Sequence, residues 1–337
     1  MKLDAVSYGR PLADVADEVA DARRRGYDGW FASETTHDPL LQCAVAGQAS
    51  GQMTIGTAIA VAFSRSPMHL AYAAHDLQAQ SRGRFVLGLG SQVKPHIEKR
   101  FSSQWSRPVA RMREYVAALR AIWDAWASGE RLAFRGEFYR HTLMTPFFTP
   151  ADHGYGHPRV WLAAVGPRMT EVTGEVADGL LVHGFTTERY LREVTLPNLV
   201  TGAERAGRSR DELEVSVPVF VVSGHDAEQR RASEAMVRQQ IAFYGSTPAY
   251  RAVLDQHGWG ELHEQLHRLS TTAGWDQMPQ LIPDEVVEAF AVVAAPDEVG
   301  AAIAERYGGL VDRVSIASGN ALDDRSLAWL RAAVVAA

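Results

Sequence analysis

Short apolar runs and amphipathic stretches alternate along the whole 337-residue chain. The opening "KLDAVSY" is followed by "PLADVADEVADARRRG", in which Leu12, Val15, Val19 and Ala22 share one helical stripe that Gly26 ends. The succession recurs as "DGWFAS" before "PLLQCAVAGQAS", "TIGTAIAVA" before "PMHLAYAAHDLQAQSRG", and "RFVLGLG" before a polar loop and "RPVARMREYVAALRAIWDAWASG". Four more pairs begin with "RVWLAAVG", "GLLVHG", "LEVSVPVFVVSG" and "DRVSIASG". These strands are apolar without strict alternation, as strands covered on both faces are. Eight strand-then-helix units predict a parallel sheet closed into an α/β (β/α)8 TIM barrel.

Two stretches break the period. Residues 130–158, rich in aromatics, Gly and Pro, predict an irregular insertion or small hairpin. Residues 247–296 predict short helices broken by "GWG", "GW" and "PDE". No linker or low-complexity tract divides the chain, so one domain over 1–337 is expected, with both insertions at its C-terminal face.

The loops that follow the strands of such a barrel form its active face. After the second strand comes "ETTHD", residues Glu34, Thr35, Thr36, His37 and Asp38, where a merely solvated turn would favour Gly, Asn or Ser. Asp38 before Pro39 also has the makings of an N-cap. His37 is the candidate for proton transfer or for polarising a substrate, because an imidazole titrates near neutral pH, and Glu34 the candidate to orient it or a bound ring; a capped loop is the plainer alternative. The next four strands end in "AFSRSP", "GSQVKPHIEKRF", "AVGPRM" and "HGFTTE". The corners in "AAVGPRM" and "HGFTTE" pass through Gly into a helix start, which suits an anion and hence a phosphorylated cofactor; a tight turn that needs Gly is the plainer alternative. "GLGS" at Gly88 to Ser91 lacks the third glycine of a dinucleotide fingerprint and closes a strand.

A formal charge of −6 argues against a nucleic-acid surface. The single cysteine, Cys43, sits among apolar helix positions, which fits a buried thiol in a reducing cytosol. No segment has the pattern of a signal peptide or the length of a membrane span, so the expected location is the cytoplasm. "HEQLH", His263 to His267, matches the zinc motif H-E-x-x-H, with Glu264 as base and Glu285 as a distant third ligand. Yet Leu262, Leu266 and Leu269 form the apolar stripe, which would leave both histidines flanking it toward solvent, in an insertion and away from a strand end. No metal is expected.

The blocks "IGTAIAVAFSRSPMHLAYAAHDLQAQSRGRFVLGLGS", "RMREYVAALRAIW", "FRGEFY", "AAVGPRMTEVTGEVADGLLVHG" and "VDRVSI" resemble the bacterial luciferase-like flavin and deazaflavin oxidoreductases, over nearly the whole chain. They are most similar to the branch using coenzyme F420, a deazaflavin hydride carrier. The resemblance implies an F420-dependent oxidoreductase acting on a small organic substrate, with an FMN-dependent monooxygenase as the alternative enzyme and a flavin-binding protein without turnover as the non-enzyme alternative. By position it implies that Thr57, Ala58, Ile59 and Ala60 back the ring, with a cis peptide at Ala58–Ile59. Ser91 and Gln92 would touch the ring edge or ribityl chain. Ala163, Ala164, Val165, Gly166, Pro167 and Arg168, with His183, Gly184, Phe185 and Thr186, would hold the chain and phosphate. Phe63, Trp105 and Tyr244 are candidate substrate-pocket walls, with simple packing as the plainer alternative for each, and a homodimer is the expected assembly. Two departures stand out. Thr35 occupies the place where deazaflavin members carry histidine, and Val93 the place where sugar-phosphate oxidisers carry a glutamate.

Overall fold

The computed structural model describes residues 1–317 and 323–336. Eight parallel strands form its centre: β1 (Lys2–Ser7), β2 (Gly29–Ala32), β3 (Thr54–Thr57), β4 (Phe85–Gly90), β5 (Arg159–Ala164), β6 (Gly179–Val182), β7 (Glu214–Val222) and β8 (Arg313–Ile316). Each pairs with the next in chain order, and β8 pairs back onto β1, so the sheet closes into the TIM barrel the alternation predicts. Ser318 and Gly319, the end of "DRVSIASG", lie outside the described residues. Helices α1 (Leu12–Arg24), α2 (Pro39–Ala49), α3 (Pro67–Gln80), α4 (Pro108–Ser128), α5 (Pro167–Val176), α6 (Leu196–Arg205), α7 (Ala227–Gly245) and α8 (Asp324–Ala336) follow the strands in turn.

The two faces of each strand have different partners, because successive side chains point to opposite sides. Phe31, Val86, Trp161 and Leu181 meet inside the barrel, with Val6, Ala58, Ile59 and Ala163 packed against them. Their neighbours Trp30, Leu87 and Leu162 face outward and join Val15 and Val19 of α1. Leu12 does not complete that stripe; as the first residue of α1 it is 41% exposed. Cys43 is buried, with its thiol donating to Gly56 O at 3.2 Å.

The lower lumen holds an ion pair. Arg313 Nε donates to Asp4 Oδ2 at 2.7 Å and Nη2 to Asp4 Oδ1 at 2.5 Å, both residues almost fully buried. The guanidinium lies 5.8 Å from the Phe31 ring and 5.7 Å from Trp161, which themselves stack at 5.6 Å. Glu214 Oε1 stands 3.5 Å from Arg313 Nη1 and ties the pair to Lys2 at the barrel's base.

Residues 130–158 contain a two-stranded hairpin, Phe134–Arg135 with Arg140–His141. Residues 247–296 contain short helices, the longest Gly260–Thr271, and a strand, Ala291–Val293, that the sequence pattern did not reveal. That strand extends the sheet by pairing with the end of β7, from Phe220 to Val222. "HEQLH" also departs from expectation. His263 is buried rather than solvent-facing, its Nδ1 bonded to Gly245 O at 2.7 Å, and His267 Nδ1 meets Ser246 O at 2.9 Å. The two rings pin the insertion helix to the end of α7, while Glu264 faces Arg251. Among the described residues no helix is long and apolar enough to cross a membrane.

Replacing Arg313 with Ala strands the Asp4 carboxylate in the lumen. Arg313→Ala is expected to lower stability by about 3–5 kcal/mol in urea unfolding, and Asp4→Asn with Arg313→Met to recover much of that loss. Equal midpoints for the wild type and Arg313→Ala would show the pair to be dispensable.

Candidate functional site

Strand register sets which loops meet. Ala60 lies opposite Leu89, Leu89 opposite Leu162, and Leu162 opposite Leu180, so the chain leaves β3, β4, β5 and β6 at nearly one level. The segments Thr57–Ala60, Ser91–Gln92, Ala163–Arg168 and His183–Thr186 therefore emerge side by side along one arc of the C-terminal rim.

The β3 segment is the most tightly fixed. Its strand stops at Thr57 and resumes as Ala60–Val61, and the Ala58–Ile59 peptide between them is cis, at the bond the resemblance implies. The loop after β2 satisfies the backbone here. Ala58 N–H donates to Ala32 O at 2.8 Å, Ser33 Oγ donates to Ala58 O at 2.8 Å, and Glu34 N–H donates to Ile59 O at 3.1 Å. Glu34 Oε2 accepts from Val61 N–H at 2.7 Å and from Arg65 Nη1 at 2.6 Å. Arg65 Nη2 reaches Asp38 Oδ2 at 2.8 Å, while Asp38 Oδ1 caps α2 by accepting from Leu40 N–H at 2.8 Å. Arg65 thus bolts two loops together around the segment. From the other side, a side chain on Gly88 would collide with the Thr57 carbonyl, and one on Gly90 would lie 2.9 Å from Ile59 Cδ1. Here glycine is required by close approach of backbones.

Glu34 and His37 are not brought together. The Glu34 carboxylate is occupied by Arg65 and Val61, whereas His37 is exposed and has no hydrogen bond among the described residues. Nothing in "AFSRSP" distinguishes Arg65 as a clamp from an ordinary surface arginine.

At the α5 corner, Gly166 has open space where a side chain would be, and Gly166 O accepts from the N–H groups of Met169 and Thr170 at 3.1 Å. Pro167 has no N–H. The Arg168 N–H and its exposed guanidinium have no partner among the described residues, leaving donors and positive charge where an anion could lie. Gln92 takes a left-handed conformation, φ 57°, and its Oε1 accepts from Val93 N–H at 3.0 Å.

The expected pocket walls separate into two groups. Phe63 is buried edge-on to Trp105 at 5.8 Å, with the Arg111 guanidinium 4.6 Å from its ring centre. Tyr244, on α7, instead lines a cavity of about 700 Å³ together with Tyr8, Glu18, Gly184 and Phe220. Glu18, which sequence reasoning missed, accepts from Ser7 Oγ at 2.9 Å, and burial pushes its pKa up. Its position seven residues into an amphipathic helix gave no signal.

Burial pulls the His183 imidazole down to about pKa 4. Its folded value is below the ordinary 6.5, so as pH falls from about 6.5 to 4 the unfolded chain takes up a proton that the folded chain refuses. Stability is therefore present above pH 6.5 and is lost through that window, by up to about 3 kcal/mol from this group. Unfolding midpoints of wild type and His183→Asn from pH 7.5 to 4 should diverge in slope there; parallel curves would contradict the assignment.

A model of the luciferase-like monooxygenase family matches residues 3–313. The chain is 52% identical over 314 residues to the uncharacterized protein Rv1360 of Mycobacterium tuberculosis, covering 93% of this chain and 92% of that one. It is 28% identical over 244 residues to the F420-dependent glucose-6-phosphate dehydrogenase of Nakamurella multipartita, covering 69% of each. In fold it resembles the coenzyme F420-dependent tetrahydromethanopterin reductase of Methanopyrus kandleri, with a TM-score of 0.79, 18% identity and coverage of 99% and 98%. A closed barrel with its polar loops gathered at one rim, matched from the first strand into the last, places this chain in the luciferase-like monooxygenase family.

Proposed function

We propose that this protein is an F420-dependent oxidoreductase that moves a hydride between the deazaflavin and a small organic substrate. The observation that carries the reading is the arc of four strand ends, where a stitched backbone wall adjoins two Gly-containing corners and the Arg168 cation, which has no partner among the described residues. Such a rim fits a flat ring against residues 57–60 and a phosphorylated chain along 163–168 and 183–186. The name of the Nakamurella multipartita relative favours the deazaflavin over FMN.

When bound, the cofactor supplies the hydride chemistry, and the protein positions it and excludes water. Glu34, held by Arg65, would act by fixing the wall behind the ring. The exposed imidazole of His37 would exchange a proton with the substrate oxygen. Phe63 and Trp105 would wall one side of the substrate and Tyr244 the other. Val93, 44% exposed, offers no carboxylate where sugar-phosphate oxidisers carry one, so we propose a substrate other than a sugar phosphate. A cytoplasmic homodimer is part of the same proposal.

The family's description as monooxygenases supports FMN-dependent oxygenation as the second reading. Fluorescence titration with both cofactors separates them: F420 is expected to bind at micromolar or lower concentration and FMN more weakly. Reversed affinities, with oxygen uptake by the FMN-loaded protein, would favour the monooxygenase. Tight binding without turnover on any substrate would instead describe a carrier.

His37→Ala is expected to lower turnover, followed by deazaflavin absorbance, roughly 10²- to 10⁴-fold with cofactor affinity unchanged. An unaltered rate would remove His37 from the chemistry.

A further inference from the structure

The insertion at residues 247–296 delivers a tyrosine to the barrel rim. Tyr250 ends a short turn, Pro248–Tyr250, and its ring lies on the His183 ring with centres 4.5 Å apart. Tyr244 meets both rings edge-on, at 4.8 Å from His183 and 5.8 Å from Tyr250. Tyr244 and Gly184 line the cavity of about 700 Å³, so Tyr244 stands at its wall beside the β6 corner, and Tyr250 and His183 pack against Tyr244.

The hydrogen bonds have a fixed direction. Phe185 N–H donates to His183 Nδ1 at 3.0 Å, so Nδ1 carries no proton. Burial keeps the imidazole neutral at ordinary pH. A neutral imidazole has one N–H, and here it must be on Nε2. Nε2 lies 3.1 Å from Tyr250 Oη, which it therefore reaches as donor. The Tyr250 hydroxyl accepts that bond and keeps its own hydrogen, since burial pushes its pKa up to about 12. Among the described residues none accepts that hydrogen. A half-buried hydroxyl held this way keeps its hydrogen free to donate to a bound group.

We propose that Tyr250, oriented by His183, donates a hydrogen bond to an oxygen of the bound cofactor. This rests on the cofactor reading above and adds to it a binding residue from the insertion, outside the strand-end loops. The acceptor is a phosphate oxygen or an oxygen of the ring and ribityl chain.

Two measurements test it. In the free protein, nitrogen-15 NMR of His183 is expected to show a neutral ring protonated on Nε2 from pH 5.5 to 8; a proton on Nδ1 would overturn the relay. Tyr250→Phe, with its melting temperature recorded to confirm folding, is expected to bind F420 and FMN about tenfold more weakly by fluorescence titration. Riboflavin and the phosphate-free deazaflavin nucleoside locate the acceptor. Unchanged affinity for these two assigns it to phosphate, and a parallel loss assigns it to the ring or ribityl chain. Equal binding of F420 and FMN by wild type and Tyr250→Phe would overturn the proposal while leaving the cofactor reading intact. Failure of the wild type to bind either cofactor would overturn both.

Discussion

The buried pair between Asp4 and Arg313 joins the first strand of the barrel to the last, and the rest of the architecture presupposes that closure. Two charges removed from water are costly unless their geometry is good, and here two nitrogens of one guanidinium meet two oxygens of one carboxylate. The pair also fixes register. Lys2 lies opposite Arg313 and Asp4 opposite Ser315; a slip of one residue would turn Arg313 out of the lumen and into the helix layer. With β8 fixed on β1, all eight strands run in one direction and their C-terminal ends share one rim.

That rim is built in two ways. On the β2–β4 side, backbone groups are held by other backbone groups and by Glu34, Asp38 and Arg65, and two glycines let neighbouring strands approach. On the β6–β7 side, the wall is made of rings: Tyr244 of α7 and Tyr250 of the insertion meet His183, and Phe185 of the β6 loop packs against both tyrosines. The first construction suits a surface against which a rigid ring rests. The second varies readily with the inserted sequence, and it is where barrels of one family can come to differ in what they accept.

The insertion helix that carries "HEQLH" illustrates how a motif changes meaning in context. Two histidines one turn apart are equally suited to a metal and to a pair of backbone carbonyls. The chain ending α7 presents the carbonyls of Gly245 and Ser246, and both rings bond to them. Among the described residues no cluster of three or more metal-ligating side chains forms.

The sequence by itself determined the parallel α/β architecture, because the repeat of apolar strand and amphipathic helix is a local pattern, and eight units are the number that closes such a sheet into a barrel. It also determined which segments meet at the rim, since strand ends are legible from the glycines and polar residues that follow them. The tertiary structure alone decided what those residues do once there. Glu34 stands two residues before Thr36 and three before His37, yet its partner is Arg65, thirty-one positions away. Tyr250 belongs to a stretch without periodicity, and only folding carries it to His183, sixty-seven positions back. Periodicity records which face of an element is buried; it carries no information about which charged or hydroxyl group from a distant loop will arrive opposite.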